Sequence, residues 1–202
     1  MTSMKYTVNG AQTTDSNFGS SVVTSNGMKV VAAYPTITKA ADTPVGMSSG
    51  YLAGAASDLL HFTVTNGSTS NPINLDTITV TPTYSGTLTS TTSPSSINIY
   101  NSKDLNTVIA TSTLGVSGEK ISITFTADEV INSSETYVVK ADTSGLTSDG
   151  NSIRMSLTSA DTILGLDTTG TGDWSWNDST VSTYANGYLV KNLPVDGNTM
   201  VK

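Results

Sequence analysis

Residues Ile78 to Thr91 read Ile-Thr-Val-Thr-Pro-Thr-Tyr-Ser-Gly-Thr-Leu-Thr-Ser-Thr, with threonine at nearly every second position. The same beat returns in Phe62-Thr63-Val64-Thr65 and in Ile121-Ser122-Ile123-Thr124-Phe125-Thr126. Strict alternation places apolar side chains on one face of a strand and hydroxyls on the other. β-Branched threonine suits a pleated surface, so these runs predict strands whose outer faces carry hydroxyls. Serine and threonine together number 64 of the 202 residues, whereas charged residues are only 12%. Hydroxyls therefore occupy surface that most proteins give to charge.

Hydrophobic residues make up 36% of the chain, below the usual ~45–50%. They are concentrated in the alternating runs, which predicts a thin two-layer core rather than disorder. The net charge is −7 and no basic run exists, so neither nucleic acid nor an anionic membrane is expected as a partner. There is no cysteine, which removes thiol and disulfide chemistry. No stretch approaches the ~18–20 apolar residues of a membrane helix, and membrane insertion is not expected. No signal-peptide pattern opens the sequence; if the protein is exported, as its composition suggests, this is expected to be a mature or truncated form.

Short strand signals recur along the chain, separated by turn signals such as Asn66-Gly67, Ser85-Gly86, Ser117-Gly118, Asp149-Gly150 and Asp196-Gly197. Many short strands with regular turns predict an all-β sandwich of seven to nine strands plus extras. One helical turn is expected around Ala127–Ile131, where an acidic pair stands at a potential helix start. The expected core is Leu60, Phe62 and Val64; Ile78 and Val80; Ile97 and Ile99; Ile121, Ile123 and Phe125; Tyr137 and Val139. Residues 1–27 are sparse in apolar side chains and read as an extended N-terminal arm, with the sandwich over residues 28–202 and a C-terminal strand segment at Tyr188–Leu193.

Three stretches taken together carry a resemblance. They are Pro35–Thr38 with Leu60–Thr65; Ile97–Tyr100 with Phe125–Ala127 and Thr136–Asp142; and Trp174–Ser179 leading to Asn186–Pro194. Their order resembles immunoglobulin-like β-sandwich modules of large bacterial cell-surface proteins, of the surface-layer or filament type. The resemblance covers most of residues 28–195 through short strand motifs. It implies an antiparallel immunoglobulin-like sandwich and a cell-surface setting, and brings no catalytic residues with it. Those modules usually sit inside much longer chains.

Candidate sites are few. His61, the single histidine, alternates with Leu60 and Phe62 and is expected on the outer face of its strand. Histidine triads and zinc sites need more partners than that, so no catalytic residue and no metal centre is expected. Calcium remains open at two carboxylate loops, one with Asp142, Asp149 and Asn151, the other with Asp167, Asp173, Asn177 and Asp178. Asp and Asn also favour turns by bonding their own backbone, and neither loop has a strong calcium-binding spacing. Trp174, Trp176 and Tyr188 could form an aromatic platform for a sugar, or plug the end of a sandwich or a subunit seam. Asn66-Gly67-Ser68, Asn132-Ser133-Ser134 and Asn177-Asp178-Ser179 match the N-glycosylation pattern.

The chain thus reads as an extracellular structural protein, not an enzyme, that polymerises with copies of itself into a filament or surface layer. Head-to-tail strand addition is the expected mechanism, because such a contact does not close on itself. The candidate donor residues are Met4, Tyr6, Val8 and Val22 in the N-terminal arm. The alternative expectation is a carbohydrate-binding or adhesin module of a larger surface protein, using the two tryptophans and Tyr188.

Overall fold

The computed structural model describes residues 4–8, 11–15, 32–45, 52, 54–88, 95–158, 174–179 and 190–202. Every regular element among them is a strand. The chain divides into two units, residues 1–30 and 31–202. In the first unit β1 (Met4–Val8) pairs antiparallel with β2 (Ala11–Asp15), from Met4↔Asp15 to Val8↔Ala11. The expected extended arm is therefore half of a hairpin over Met4–Val8. Its two strands are separated by Asn9-Gly10, a strong two-residue hairpin signal.

The second unit is one sheet that rolls up on itself. Its strands are β3 (Pro35–Lys39), β4 (Ser57–Asn66), β5 (Ile73–Tyr84), β6 (Ser96–Asn101), β7 (Asp104–Thr113), β8 (Ile121–Ile131), β9 (Ser134–Ala141), β10 (Ser152–Leu157), β11 (Ser175–Asn177), β12 (Val195–Asp196) and β13 (Met200–Val201). They follow the order β12-β10-β5-β8-β7-β6-β9-β4-β3, with β11 beside β5 and β13 beside β10. The strand pairs are antiparallel, and the sheet is nearly closed and barrel-like.

The corner of the roll lies in β8. Thr124 pairs with Thr77 of β5, but the next partners are Glu129 and Leu75, so Phe125–Asp128 leave the ladder. Phe125 pairs instead with Ala110 of β7, which joins the two halves of the sheet. This bulge also explains why no helical turn forms at Ala127–Ile131: Glu129, Val130 and Ile131 resume pairing with Leu75, Asn74 and Ile73. An acidic pair stands there, but strand pairing on both sides overrides it.

All the core residues expected from alternation are buried, at 9% exposure or less. Phe62, Tyr137 and Phe125 bring β4, β9 and β8 together, with ring centroids 5.4 and 5.8 Å apart from that of Tyr137. Outside, the hydroxyl face forms cross-strand pairs: Thr63 with Thr136 at 2.9 Å and Thr77 with Thr124 at 3.2 Å. The threonine face of β5 is less solvated than its alternation predicts. Thr77 and Thr79 are themselves buried, and Thr77 donates to Asp76 at 3.0 Å. A central strand flanked by β8 on one side and by β10 and β11 on the other shields its hydroxyls.

Candidate functional site

In an all-β protein the functional question is which strand edges are already filled. The C-terminal segment meets both ends of the sheet, lying against β3 at one and adding β12 and β13 to β10 at the other. Lys191 pairs in parallel with Thr36; Ile37 N donates to Lys191 O, and Lys191 N donates to Pro35 O, both at 3.0 Å. A few residues later Val195 and Asp196 pair with Leu157 and Ser156, and Met200 and Val201 pair with Ile153 and Ser152. Residues 190–201 thus pass from one end of the sheet to the other.

Side chains lock this crossing. Val195 and Met200 are buried, with Val190 and Leu193 packed against the core. Ser156 Oγ donates to Asp196 at 2.7 Å, and the Lys191 ammonium lies 3.8 Å from the centre of the Tyr34 ring. Gly197 donates its N–H to Met155 O at 2.9 Å. A Cβ there would meet Met155 O at 2.6 Å and Leu59 O at 3.1 Å, so the segment threads between carbonyls of β10 and β4. Only glycine leaves room for that approach.

The ladder between β7 and β8 is different. Among the described residues the two strands share the single pair Ala110↔Phe125. Continuing that antiparallel register would set Leu105 opposite Val130. Leu105, Val108 and Val130 are 46%, 41% and 55% exposed, three of the five large apolar side chains on the described surface. The seam therefore sets apolar side chains facing water beside two strands that share one pair, with Val108 and Val130 paired on their other sides to Tyr100 and Asn74; exposed apolar strand surface of this kind invites another strand.

Met4, Tyr6 and Val8 occupy register positions opposite Asp15, Thr13 and Ala11 in the hairpin. Val22 and Tyr188 lie outside the described residues. Trp174 and Trp176 are buried, at 1% and 0% exposure, and offer no face to a ligand. Trp176 of β11 pairs with Leu75 of β5, and the Trp174 indole donates to Thr158 O at 2.8 Å. Both indoles belong to the buried core, beside the central strand β5.

In the first loop Asp142 accepts from Ser144 N at 2.9 Å and the Asn151 side chain accepts from Ser148 N at 3.2 Å, both locally, whereas Asp178 of the second accepts from the distant Ala32 N at 2.7 Å. Asp167 and Asp173 lie outside the described residues. Among the described residues no three His, Cys, Asp or Glu side chains converge as a metal site would require. Of the three glycosylation patterns, Asn66 is buried and its amide donates to Asn71, Ile131 and Asn132 carbonyls. Asn177 is buried beside Asn74, whereas Asn132 is exposed at the β8–β9 turn.

One cluster was not anticipated as such. His61 lies between two aspartates, with Nε2 2.9 Å from Asp58 Oδ1 and Nδ1 2.9 Å from Asp42 Oδ2. The Asp58 contact is a hydrogen bond, whereas Asp42, at the same distance from Nδ1, sits off its hydrogen-bonding axis. Hydrogen bonding to Asp58 raises the His61 pKa above its ordinary value against the opposing effect of burial, and Asp42 adds to the rise. The Asp42 carboxyl is held below its ordinary value by His61. Asp58 stands three positions before His61, a spacing visible in the sequence, but Asp42 arrives through folding alone.

No family model matches the chain, and no curated protein is significantly similar to it.

Proposed function

We propose that this chain is an extracellular structural protein that assembles head-to-tail with copies of itself, one subunit adding a strand to the sheet of the next. The observation that carries the reading is the interrupted β7–β8 ladder with Leu105, Val108 and Val130 exposed beside it. The proposed donor is β1, whose Met4, Tyr6 and Val8 recur at every second position, the spacing that strand addition needs to place side chains on one face. In that exchange β1 gives its hairpin partner β2 for a longer sheet, which a two-stranded ribbon alone does not provide.

The sheet is further read as a variant immunoglobulin-like sandwich. Its path contains β3-β4-β9-β6 on one side and β12-β10-β5 on the other. Lettered in chain order, with β7 and β8 as an insertion between the fourth and fifth strands, these are the A-B-E-D and G-F-C orders of that fold. The acceptor seam then belongs to the inserted pair. A hydroxylated surface, as on exposed Thr38, Thr65, Ser122, Thr124 and Thr126, fits a cell-surface location where charge is not needed to keep subunits apart.

Negative-stain electron microscopy and light scattering of the purified protein test the reading. Filaments or sheets that vanish on deletion of residues 1–26, leaving a folded monomer, are expected. A monomer at high concentration would overturn assembly, and unchanged polymers after the deletion would overturn β1 as donor.

A further inference from the structure

We propose that Asp42, His61 and Asp58 form a pH-operated latch holding the loop after β3, and with it the C-terminal closing segment, against β4. The loop of residues 40–45 folds back over β4 at His61. Ala40 N donates to His61 O at 3.0 Å; the Thr43 hydroxyl donates to the same carbonyl at 2.7 Å and accepts from His61 N at 3.2 Å. From this loop the contact passes to the closing segment, because Asn198 donates to Pro44 O at 2.7 Å and accepts from Lys39 Nζ at 3.4 Å.

The imidazole is the part that can change. A ring with carboxylate oxygens 2.9 Å from both nitrogens is at rest only when both nitrogens carry protons. In the neutral ring one lone pair faces a carboxylate, and the contact with Asp42, already off axis, is the one that yields. The other charged groups on packed elements do not supply a second proton for the pair. Lys140 of β9 stands opposite Asp58 in the register, but its ammonium is placed 5.2 Å from the Tyr100 ring centre; Lys39 of β3 is taken by Asn198.

The direction follows from linkage. His61 has a raised folded pKa, so its contribution is complete below the unfolded value of ~6.5 and is lost as pH rises through the folded value. Asp42 has a lowered folded pKa, so its contribution is complete above the unfolded value of ~3.9 and is lost as pH falls through the folded one. The latch is closed between these two titrations and opens on the alkaline side of His61.

The single histidine makes the test direct, since its ring signals need no assignment. Nitrogen-15 NMR of the full chain should show both ring nitrogens protonated at pH 6 and a midpoint above the ordinary value. Amide exchange at His61 and Thr43, corrected for its intrinsic pH dependence, should quicken by about tenfold for each pH unit of displacement in that midpoint. Asp58→Asn and Asp42→Asn should each lower the midpoint, and His61→Gln should make the exchange independent of pH. A midpoint at or below the ordinary value, or exchange that stays flat through the titration, would overturn the latch. Should His61→Gln fail to fold, the two aspartate variants decide the matter through the same midpoint.

Discussion

Thr36 and Lys191 are parallel neighbours, the only parallel pairing among the described residues, in a sheet that otherwise runs antiparallel. The pairing brings a C-terminal residue to the outer edge of β3, while Val195 and Met200, a few residues on, sit at the outer edge of β10. One segment thereby covers both ends of the sheet.

Removing residues 190–202 should uncover the edges of β3 and β10 and take Val195 and Met200 from the core. The truncated chain is expected to self-associate, as exposed edges do. Size-exclusion chromatography with light scattering would check this, and a synthetic peptide of residues 190–202 should reduce the association.

Gly197→Ala should destabilise the fold by about 1–3 kcal/mol, the usual cost of forcing atoms into a packed site. The new methyl would press on Met155 O and Leu59 O, backbone atoms that cannot swing away. Urea unfolding should show a lower midpoint with an unchanged slope.

Trp174→Ala and Trp176→Ala should each cost about 3–5 kcal/mol, as truncation of a buried large aromatic does. Tryptophan fluorescence of the wild-type chain should be blue-shifted and poorly quenched by iodide. Solvent-exposed emission would instead place the indoles on the surface.

Glu129 accepts from the Tyr137 hydroxyl at 3.2 Å, and burial raises its pKa despite that bond. A raised folded pKa means stability that is complete below the unfolded value of ~4.3 and declines as pH rises through the folded one. Glu129→Gln keeps an acceptor for Tyr137 and removes the half-buried charge. The variant should be at least as stable as wild type at pH 7, with the advantage shrinking toward pH 4; urea midpoints at both values measure it.

The alternating runs were enough to place the inward-facing residues of β4, β5, β6, β8 and β9, because a period of two fixes a face without reference to anything distant; the short β2, β11, β12 and β13 carry no such run. Phe62, Ile78, Ile123 and Tyr137 all obey it. What alternation could not tell is what lies above a face, so Thr77 and Thr79 were expected in water and are buried in a flanked strand. The Ala127–Ile131 stretch shows the complementary limit: an acidic pair signals a helix start locally, but pairing with Ile73–Leu75 is a distant fact that no local signal carries. The Asn9-Gly10 pair between β1 and β2 is a hairpin signal that the reading of residues 1–27 as an extended arm passes over. The clasp on His61 was not legible, because Asp42 reaches the ring only after the chain has turned back from β3.

Because residues 190–201 cover both ends of the roll, the sheet cannot be completed while the chain is still emerging past β10. Ribosomes add roughly 5–20 residues each second, so a nascent chain holding β3 through β10 must wait some seconds with two uncovered borders. During that interval the unpaired N–H and C=O groups of both borders stand open to any extended chain nearby.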